Sequence, residues 1–476
     1  MDGVVLLSDM TVHPGAYGKE EQAMAEATRP NVIFILSDDQ GIWSLGCYGN
    51  REIRTPNLDR LAAQGMRFRN FFVATPVCSP SRATFFTGRI CSQHGVHDWL
   101  RGGNVDPGAI RYLDGEVTST DVLAGQGYAC GISGKWHLGD SQHPQHRFDH
   151  WFVHQKGGGP YMNAPMVRDG ERVNEPGYVT NVITEDALAF LDDHAAGTFY
   201  LSVHYTAPHS PWDRHHHLPE VFDSYADCPF ESCPQEERHP WAIQLTDRCL
   251  GNREMLQGYA AAITSMDHDI GRILDRVDDL GIRENTLIVF VSDNGFSCGH
   301  HGFWGKGNGT NPINMYENSI RVPAIFSHPG HIPENAVQDA MVSAYDFLPT
   351  LLDYVGAPCP PDRNLPGTSF ADSLRGGGSE GREDVIVFDE YGYTRMICTR
   401  EWKYVHRYPD GPHELFNLRD DPGERHNRVH DPNMGARVKR MRARLEEWFD
   451  RYVIPEKDGR YFPVDGRGQM RQVPGG

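Results

Sequence analysis

Residues 31–39 read NVIFILSDD, a short apolar run that ends in two aspartates. Three other segments have the same construction: YACGISGKWH (128–137), TFYLSVHYTAPH (198–209) and TLIVFVSDNG (286–295). Short apolar runs that are rich in β-branched or aromatic residues are typical of parallel strands buried on both faces. The four segments therefore predict the central strands of one sheet.

Helical patterns alternate with these strands. The clearest one extends from about Arg253 to Leu280, where apolar residues recur every three or four positions until Gly281 ends the pattern. Strands that alternate with helices predict an α/β fold, in which a large, mostly parallel sheet lies between two layers of helices.

The pattern changes after the glycine-rich stretch SLRGGGSEGRED (373–384). Residues 385–418 alternate apolar and polar residues around the turn YPDGPH, which predicts an antiparallel meander. Residues 434–453 have the pattern of an amphipathic helix, so a small α+β unit is expected here. The predicted divisions are an N-terminal extension (1–29), a catalytic domain (30–384), a C-terminal antiparallel-sheet unit with its closing helix (385–460) and a tail (461–476).

Composition excludes several classes of partner. The formal charge of −19 argues against nucleic acid and anionic membranes, because both would be repelled. No stretch approaches the roughly 18 consecutive apolar residues of a transmembrane helix. Residues 1–22 lack the basic and apolar regions of an export signal, so a cytoplasmic location is expected, with export open if the natural chain begins elsewhere. The ten cysteines are too scattered for a disulfide framework and are predicted to be mostly reduced.

Each of the four apolar segments ends in residues suited to chemistry. The carboxyl ends of parallel strands line one crevice of an open α/β sheet, so distant segments are expected to meet there. Carboxylate and amide oxygens suit a hard cation such as Ca²⁺ or Mg²⁺ better than zinc, while nearby basic side chains would bind an oxyanion ester and supply protons. The predicted oxygen donors are Asp38, Asp39, Asp293 and Asn294, and the predicted basic residues are Arg82, Lys135, His137, His209 and Lys306.

The run PVCSPSRATFFTG (76–88) places a cysteine at the start of a predicted short helix. Pro80 suits the first helical position, which puts Cys78 or Ser79 at the helix N-terminus, where free amides favour an anion. Arg82 lies four residues after Cys78 and is expected on the same face. A plain thiolate is nevertheless a poor fit. It is a soft ligand for a hard cation, and its attack on a sulfate ester would leave a stable S-sulfated enzyme.

At this point the chain resembles the formylglycine-dependent sulfatases of the arylsulfatase type, within the alkaline phosphatase superfamily. PVCSPSRATFFTG satisfies the first signature of that family throughout. GYACGISGKWHLG (127–139) satisfies the second, except that Cys130 stands where Ser or Thr is usual. The likeness extends from about residue 30 to about residue 455 and implies an alkaline phosphatase-like sheet.

The resemblance implies a chemical mechanism. A maturation enzyme would recognise Cys78, Pro80 and Arg82 and oxidise the cysteine to formylglycine, whose hydrate is a geminal diol. One hydroxyl would attack sulfur; the other would then lose its proton, so that the aldehyde re-forms and inorganic sulfate is expelled.

The resemblance also implies roles for single residues. Asp38, Asp39, residue 78, Asp293 and Asn294 would hold one calcium ion. Arg82 would brace the diol, Lys135 and Lys306 would clamp the sulfate oxygens, His137 would assist the diol and His209 would protonate the leaving alcohol.

The segment HGVHDWLRGGN (94–104) follows the nucleophile helix and is expected at the rim of the pocket. His97, Asp98, Trp99 and Arg101 are candidates for binding a sugar, with Trp99 as a stacking surface; ordinary loop packing is the alternative.

Three functions remain open at the level of sequence. The first is a sulfuric ester hydrolase acting on a small sulfated sugar or an aryl or alkyl sulfate, since the acidic surface disfavours a long polyanion. The second is a phosphonate monoester or phosphodiester hydrolase with the same modified cysteine. The third is a non-catalytic anion-binding protein in which Cys78 is never converted. The sequence does not indicate the oligomeric state.

Overall fold

The computed structural model describes residues 29–102, 104–361, 363–378, 381–389, 393–461 and 468–473. The predicted extension therefore lies outside the described residues except for Arg29, and the predicted tail is described only at residues 461 and 468–473. The predicted division between residues 384 and 385 remains a prediction.

The four apolar segments do form neighbouring strands, β1 (Asn31–Ser37), β3 (Ala129–Gly134), β7 (Phe199–His204) and β8 (Thr286–Ser292). β1 lies between β7 and β8 and is parallel to both, while β3 pairs in parallel with β7. All four carboxyl ends thus point to one edge of the sheet. The expectation that these strands converge is confirmed.

These strands belong to a ten-stranded sheet with the order β12-β2-β11-β8-β1-β7-β3-β4-β5-β6. Strand β11 is antiparallel to both neighbours, and β4, β5 and β6 form an antiparallel edge, so the sheet is mixed but parallel at its centre. The remaining strands are β2 (Met66–Phe72), β4 (His150–His154), β5 (Pro165–Arg168), β6 (Glu171–Asn174), β9 (Ser297–Cys298), β10 (Trp304–Gly305), β11 (Ala324–Ser327), β12 (Ala336–Ser343), β13 (Asp384–Asp389), β14 (Thr394–Thr399), β15 (Trp402–Arg407) and β16 (Glu414–Asn417).

Helices cover both faces of the sheet. On β1, Phe34 belongs to one hydrophobic core and its neighbours Ile33 and Ile35 belong to another, because successive side chains of a strand point to opposite faces. The described α-helices are α1 (Pro56–Ala63), α2 (Cys78–Thr87), α3 (Cys91–His94), α4 (Ser119–Gly125), α5 (Val179–His194), α6 (Pro219–Asp223), α7 (Gln244–Cys249), α8 (Arg253–Asp279), α9 (Glu317–Ile320), α10 (Phe347–Tyr354), α11 (Ala371–Leu374) and α12 (Gly435–Tyr452).

The two cores explain why this sheet is a rigid platform. Helices α5 and α8 bury their apolar faces in the core that contains Ile33, whereas α2 and α10 contribute to the core that contains Phe34. Fully burying one large aliphatic or aromatic side chain stabilises the fold by about 1.5–3 kcal/mol. Both faces of the central strands are therefore anchored, and the loops at their carboxyl ends start from fixed positions.

The C-terminal region forms the expected second sheet. Strands β13, β14, β15 and β16 are consecutive antiparallel neighbours, and α12 packs on them through Met441, Leu445 and Phe449. The fold class is therefore the predicted one, a large mixed sheet covered by helices with a small C-terminal antiparallel sheet. Among the described helices, none combines the length and the apolar character needed to cross a bilayer.

Candidate active site

The residues that follow the central strands meet at the carboxyl edge of the sheet. The amide of Asp293, directly after β8, donates to the carbonyl of Ser37 at the end of β1, at 3.0 Å. The amide of Lys135, directly after β3, donates to the carbonyl of His204 at the end of β7, at 2.7 Å. These bonds extend the pairing of the strands by one residue. Lys135 and Asp293, which are more than 150 residues apart in the chain, therefore both lie at this edge.

An oxygen-rich cluster lies at the centre of this edge. One carboxylate oxygen from each of Asp38, Asp39 and Asp293 lies within 4.8 Å of the other two. The side-chain amide nitrogen of Asn294 donates to Asp39 at 2.7 Å. The side-chain carbonyl oxygen of Asn294 is buried without a hydrogen-bond partner among the described residues. A buried acceptor beside three carboxylates fits a hard divalent cation, whose preferred ligands are oxygens. The predicted metal residues are thus assembled, and their donor set suits the predicted ion.

Cationic side chains surround the cluster. Lys135 forms a direct ion pair with Asp38, and Lys306 forms one with Asp39. The Arg82 Nε donates to Asp293 at 2.9 Å, and both side chains are fully buried. Buried charges persist only when they are paired, so these contacts hold three cations at the strand ends.

The electrostatic field separates two of the carboxylates. Burial raises the pKa of Asp38, but the combined attraction of Lys135, His209, Lys306 and Arg82 outweighs it and holds that pKa well below its usual range. Burial, reinforced by the charge of Asp38, raises the pKa of Asp293 to about 7. Two carboxylates that face each other without a cation between them repel, which is the condition that a bound divalent ion relieves.

Cys78 is the first residue of α2, and the helix ends at Gly88 in the left-handed conformation (φ 65°). The helix terminus is therefore where the sequence predicts it, but Pro80 is the third helical residue and not the first. A proline is tolerated there because the first-turn amides have no partner within the helix. Arg82 lies one turn after Cys78. Its side chain contacts both Asp293 and the carbonyl of Lys135, the latter at 3.0 Å.

The Cys78 side chain lies inside the charged cluster. Its thiol donates to Asp38 at 3.3 Å, and the Lys306 ammonium lies 2.6 Å from the sulfur. Burial, with a contribution from Asp38, raises the pKa of this thiol to about 12. The unmodified side chain is therefore a protonated thiol at neutral pH, which is neither a good nucleophile nor a good ligand for a hard cation.

Two histidines border the same space. The His137 Nε2 lies 3.0 Å from the carbonyl of Leu100, so Nε2 carries a proton and Nδ1 is left as an acceptor. Nδ1 is buried without a hydrogen-bond partner among the described residues. The His209 Nδ1 lies 2.9 Å from the carbonyl of Ser210, and its Nε2 lies 3.8 Å from Asp39. Asp39 (φ 65°) and His137 (φ 56°) both have a left-handed backbone, which is uncommon for residues other than glycine.

A pocket of about 510 Å³ opens over this cluster. Its wall includes five of the predicted catalytic and metal-binding residues: Asp39, Cys78, His137, His209 and Lys306. Such a volume is within the range of small-molecule sites, roughly 300–1,000 Å³.

One part of the pocket wall was not identified from the sequence. Residues Lys156, Gly157, Gly158 and Gly159 follow β4 and line the pocket. A Cβ atom on Gly157 would lie 2.1 Å from the Nε2 of His137, so only glycine allows this close approach. Three successive glycines after a buried strand are the sequence signal that could have marked this loop.

The predicted sugar-binding residues do not share one position. Trp99 lines the main pocket. His97 and Asp98 are buried, with 7% and 3% of their surface exposed, and neither is among the residues that line it. Arg101 is exposed and borders an adjacent pocket of about 410 Å³. The sugar-binding roles of all four remain predictions.

Residues 30–357 match the family model described as Sulfatase. Residues 299–451 match a second family model, described as N-sulphoglucosamine sulphohydrolase, C-terminal. The two matches together span both sheets.

Named relatives include an N-acetylglucosamine-6-O-sulfatase of Bacteroides thetaiotaomicron, which is 27% identical over 91% of this chain and 88% of its own length. Human arylsulfatase A is 30% identical over 85% of this chain and 84% of its own length. A canine N-acetylgalactosamine-6-sulfatase is 32% identical over 78% of this chain and 70% of its own length.

A similar solved structure contains a protein in complex with its substrate D-glucosamine-2-N,6-O-disulfate. It superimposes with a TM-score of 0.76 and 26% identity, covering 90% of this chain and 99% of that one. The resemblance inferred from the two signatures is confirmed.

Proposed function

The chain belongs to the sulfatase family and is a hydrolase of sulfate esters; on that premise we propose that it removes the 6-O-sulfate of an amino sugar, through a formylglycine made from Cys78. The observation that carries this proposal is the assembly of Asp38, Asp39 and Asp293 with Lys135 and Lys306 around Cys78, beside a pocket whose wall includes Asp39, Cys78 and Lys306. Acidic donors for a cation and basic donors for an oxyanion are there within reach of one nucleophile position.

Conversion of Cys78 is supported by the state of its thiol. Burial raises the pKa of this thiol to about 12, which disfavours the thiolate at neutral pH. The hydrate of an aldehyde at this position supplies a hydroxyl that can accept the sulfuryl group and a second hydroxyl whose proton loss releases it. We infer that a formylglycine-generating maturation enzyme carries out the conversion by oxidation.

The basic residues divide the work by position. Lys135 and Lys306, which pair with Asp38 and Asp39, would clamp the oxygens of the sulfate, and Arg82, which pairs with Asp293, would brace the diol. The Nε2 of His209 gives its proton to the departing alcohol, since Nδ1 is held by the carbonyl of Ser210. The Nδ1 of His137 accepts a proton from the nucleophile position, because its Nε2 proton is held by Leu100.

Asp38, Asp39, Asp293 and Asn294 would hold one divalent cation, together with residue 78 after conversion. We propose Ca²⁺, because it accepts mixed carboxylate and amide oxygens in irregular geometry, and Mg²⁺ is the alternative. The ion would act as a Lewis acid that stabilises negative charge on the nucleophile and the sulfate.

Two observations support the amino sugar substrate. Two relatives are named for 6-sulfated hexosamines, the bacterial and canine 6-sulfatases, and a similar solved structure contains a glucosamine that carries a 6-O-sulfate. The pocket of about 510 Å³ suits a small molecule, and the formal charge of −19 disfavours a long polyanion.

The test is desulfation by enzyme that has been co-produced with a maturase. The panel contains N-acetylglucosamine 6-sulfate, its 3-sulfate isomer, N-acetylgalactosamine 6-sulfate and 4-nitrophenyl sulfate, with a matched phenyl phosphonate monoester. We expect the highest kcat/KM on a 6-sulfate and the lowest on the phosphonate. Preference for the phosphonate would favour the second hydrolase function. Mass spectrometry of the peptide that ends at Arg82 reports conversion of Cys78, and an unconverted, inactive protein would favour the anion-binding alternative.

A further inference from the structure

A short segment from the far end of the chain lies against the pocket wall. Residues 468–473, here named the C-terminal strap, contact residues 95–101, here named the rim segment. Trp99 and Leu100 of the rim segment line the pocket that contains Cys78. The wall of the active site is therefore completed by contacts between residues that are more than 360 positions apart.

Gln469 makes most of these contacts through its side chain. Its carbonyl oxygen accepts from the amides of His97 at 2.7 Å and Asp98 at 3.4 Å. Its amide nitrogen donates to the carbonyls of Gly95 and Arg471, both at 2.9 Å. A single side chain thus satisfies several backbone groups of an irregular segment, which would otherwise need water or another partner.

The backbone of the strap adds a second layer of contact. The amide of Gln469 donates to the carbonyl of Trp99 at 2.9 Å, and its carbonyl accepts from the amide of Arg101 at 3.2 Å. Gly468 lies so close to Trp99 that a Cβ atom would be 2.7 Å from its carbonyl and 2.9 Å from the indole ring. The indole is therefore held between the strap and the pocket.

We propose that Gln469 is a positioning residue that fixes Trp99 as the surface on which the leaving alcohol of the substrate rests. The inference rests on the proposed function, because it concerns the same pocket. Gln469 does not line the pocket itself and acts through the rim segment.

The sulfate end of the pocket is anchored independently. The amide of Leu100 donates to the hydroxyl of Ser79 on α2 at 3.1 Å. The carbonyl of Leu100 in turn accepts from the Nε2 of His137. The catalytic histidine therefore stays in place when the side-chain bonds of Gln469 are lost. Loss of Gln469 should therefore weaken binding of the leaving group much more than binding of the sulfate.

The experiment compares Gln469→Ala with Gln472→Ala. Gln472 belongs to the same strap, is exposed, and donates to the carbonyl of Arg111, which is not among the residues that line the main pocket. Both variants remove the same side chain from the same segment. Three kinds of constant are measured on converted, Ca²⁺-loaded enzyme: KM and kcat, each for N-acetylglucosamine 6-sulfate and for 4-nitrophenyl sulfate, and the inhibition constant of inorganic sulfate.

For Gln469→Ala we expect KM to rise about tenfold for both esters, with kcat and the sulfate inhibition constant changed by less than about twofold. Gln472→Ala should match the wild type. A purely structural role would change all three quantities together, and equal kinetics in the two variants would overturn the proposal. Failure of the wild type on the sugar sulfate alone would refute the substrate assignment, since the aryl ester still reports on the strap.

A double-mutant cycle with Trp99→Ala identifies the route of the effect. If Gln469 acts through the indole, Trp99→Ala raises KM by a similar factor and the double variant shows no further increase. Additive effects of the two substitutions would contradict a shared route and overturn the assignment of Trp99.

Discussion

Two clusters of buried charged side chains in this protein contain similar residue types but have different roles. At the carboxyl edge of the large sheet, Lys135 and Lys306 pair with aspartates beside Cys78. On the small sheet, Lys403 of β15 is fully buried and lies 2.6 Å from both Glu317 and Glu424.

The difference is in what each cluster faces. Lys403 lies between two glutamates and also donates to the carbonyl of Met315 at 2.9 Å, so its ammonium joins the small sheet to neighbouring segments of the chain. In the cluster beside Cys78, Arg82 Nη2 and Asn294 Oδ1 are buried without a partner among the described residues, and a pocket of about 510 Å³ opens over Cys78. The first cluster therefore ties segments of the fold together, whereas the second faces a space large enough for a small molecule.

The largest effect is expected from Cys78→Ala, which removes the proposed nucleophile. We expect kcat to fall at least about 1000-fold, because no neighbouring side chain offers an equivalent oxygen. Cys130→Ser, also at a buried cysteine but in β3, should remain active because the family signature usually has Ser or Thr there. Initial rates of sulfate release measure both, and substantial activity in Cys78→Ala would contradict covalent catalysis.

The next largest effect is expected from removal of the cation, which should affect the cluster beside Cys78 and leave the Lys403 cluster unchanged. Chelated enzyme is expected to be inactive, and Ca²⁺ should restore activity and raise Tm, with stabilisation of about 2.7 kcal/mol at 100 times Kd. Asp293→Asn should abolish both responses because it removes a charged ligand. Glu424→Gln should keep them, since that residue belongs to the other cluster. Calorimetry with and without Ca²⁺ measures this, and a normal Tm response in Asp293→Asn would argue against the assigned site.

Lys403→Met tests the structural cluster. Loss of its cation leaves the buried Glu424 without its positive partner and leaves Glu317 paired with Arg321, which should cost about 3–5 kcal/mol of unfolding free energy. The activity of the folded fraction should be unchanged. Lys439→Met, at an exposed lysine of α12, is the control and should stay within about 0.5 kcal/mol of the wild type. Urea unfolding midpoints provide the comparison, and equal midpoints would show that the Lys403 cluster is not stabilising.

The smallest effect concerns pH. Burial raises the pKa of Glu424 from 4.5 to about 7 against the attraction of Lys403, and Glu317 adds to the rise. The folded protein then holds a proton that the unfolded chain releases, so this group contributes stability below about pH 4.5 that is lost as pH rises to about 7.

The expected slope is up to about 1.4 kcal/mol per pH unit in that interval. Glu424→Gln cannot ionise, so the wild type should lose stability relative to this variant as the pH rises. Urea midpoints measured across the interval test the sign, and a difference that does not vary with pH would show that Glu424 does not titrate there.

Much of the site could be predicted because it depends on local patterns. Asp38 and Asp293 each follow an apolar run, and parallel strands necessarily bring their carboxyl ends to one edge. Lys403 was not foreseen, because nothing near it in the sequence shows that the small sheet would bury it against α9.

The first residue of α2 differs from the prediction, and two segments near the pocket were not predicted; these differences also have physical causes. Pro80 suits any position of the first turn, so the proline alone could not show which residue begins α2. The loop at Gly157 forms part of the pocket wall and the strap at Gln469 supports that wall from behind, both through close packing with other segments of the chain, and no periodicity records such contacts.

The amino-acid sequence by itself determined the α/β fold, the family and the residues proposed to carry the chemistry, because strand patterns and compact signatures are properties of neighbouring residues. Only the tertiary structure decided that Asn294 keeps an unsatisfied oxygen, that the Cys78 thiol is buried beside Asp38 and Lys306, and that Trp99 is held by Gln469. Those features depend on burial and on contacts between distant segments, and both exist only once the chain has folded.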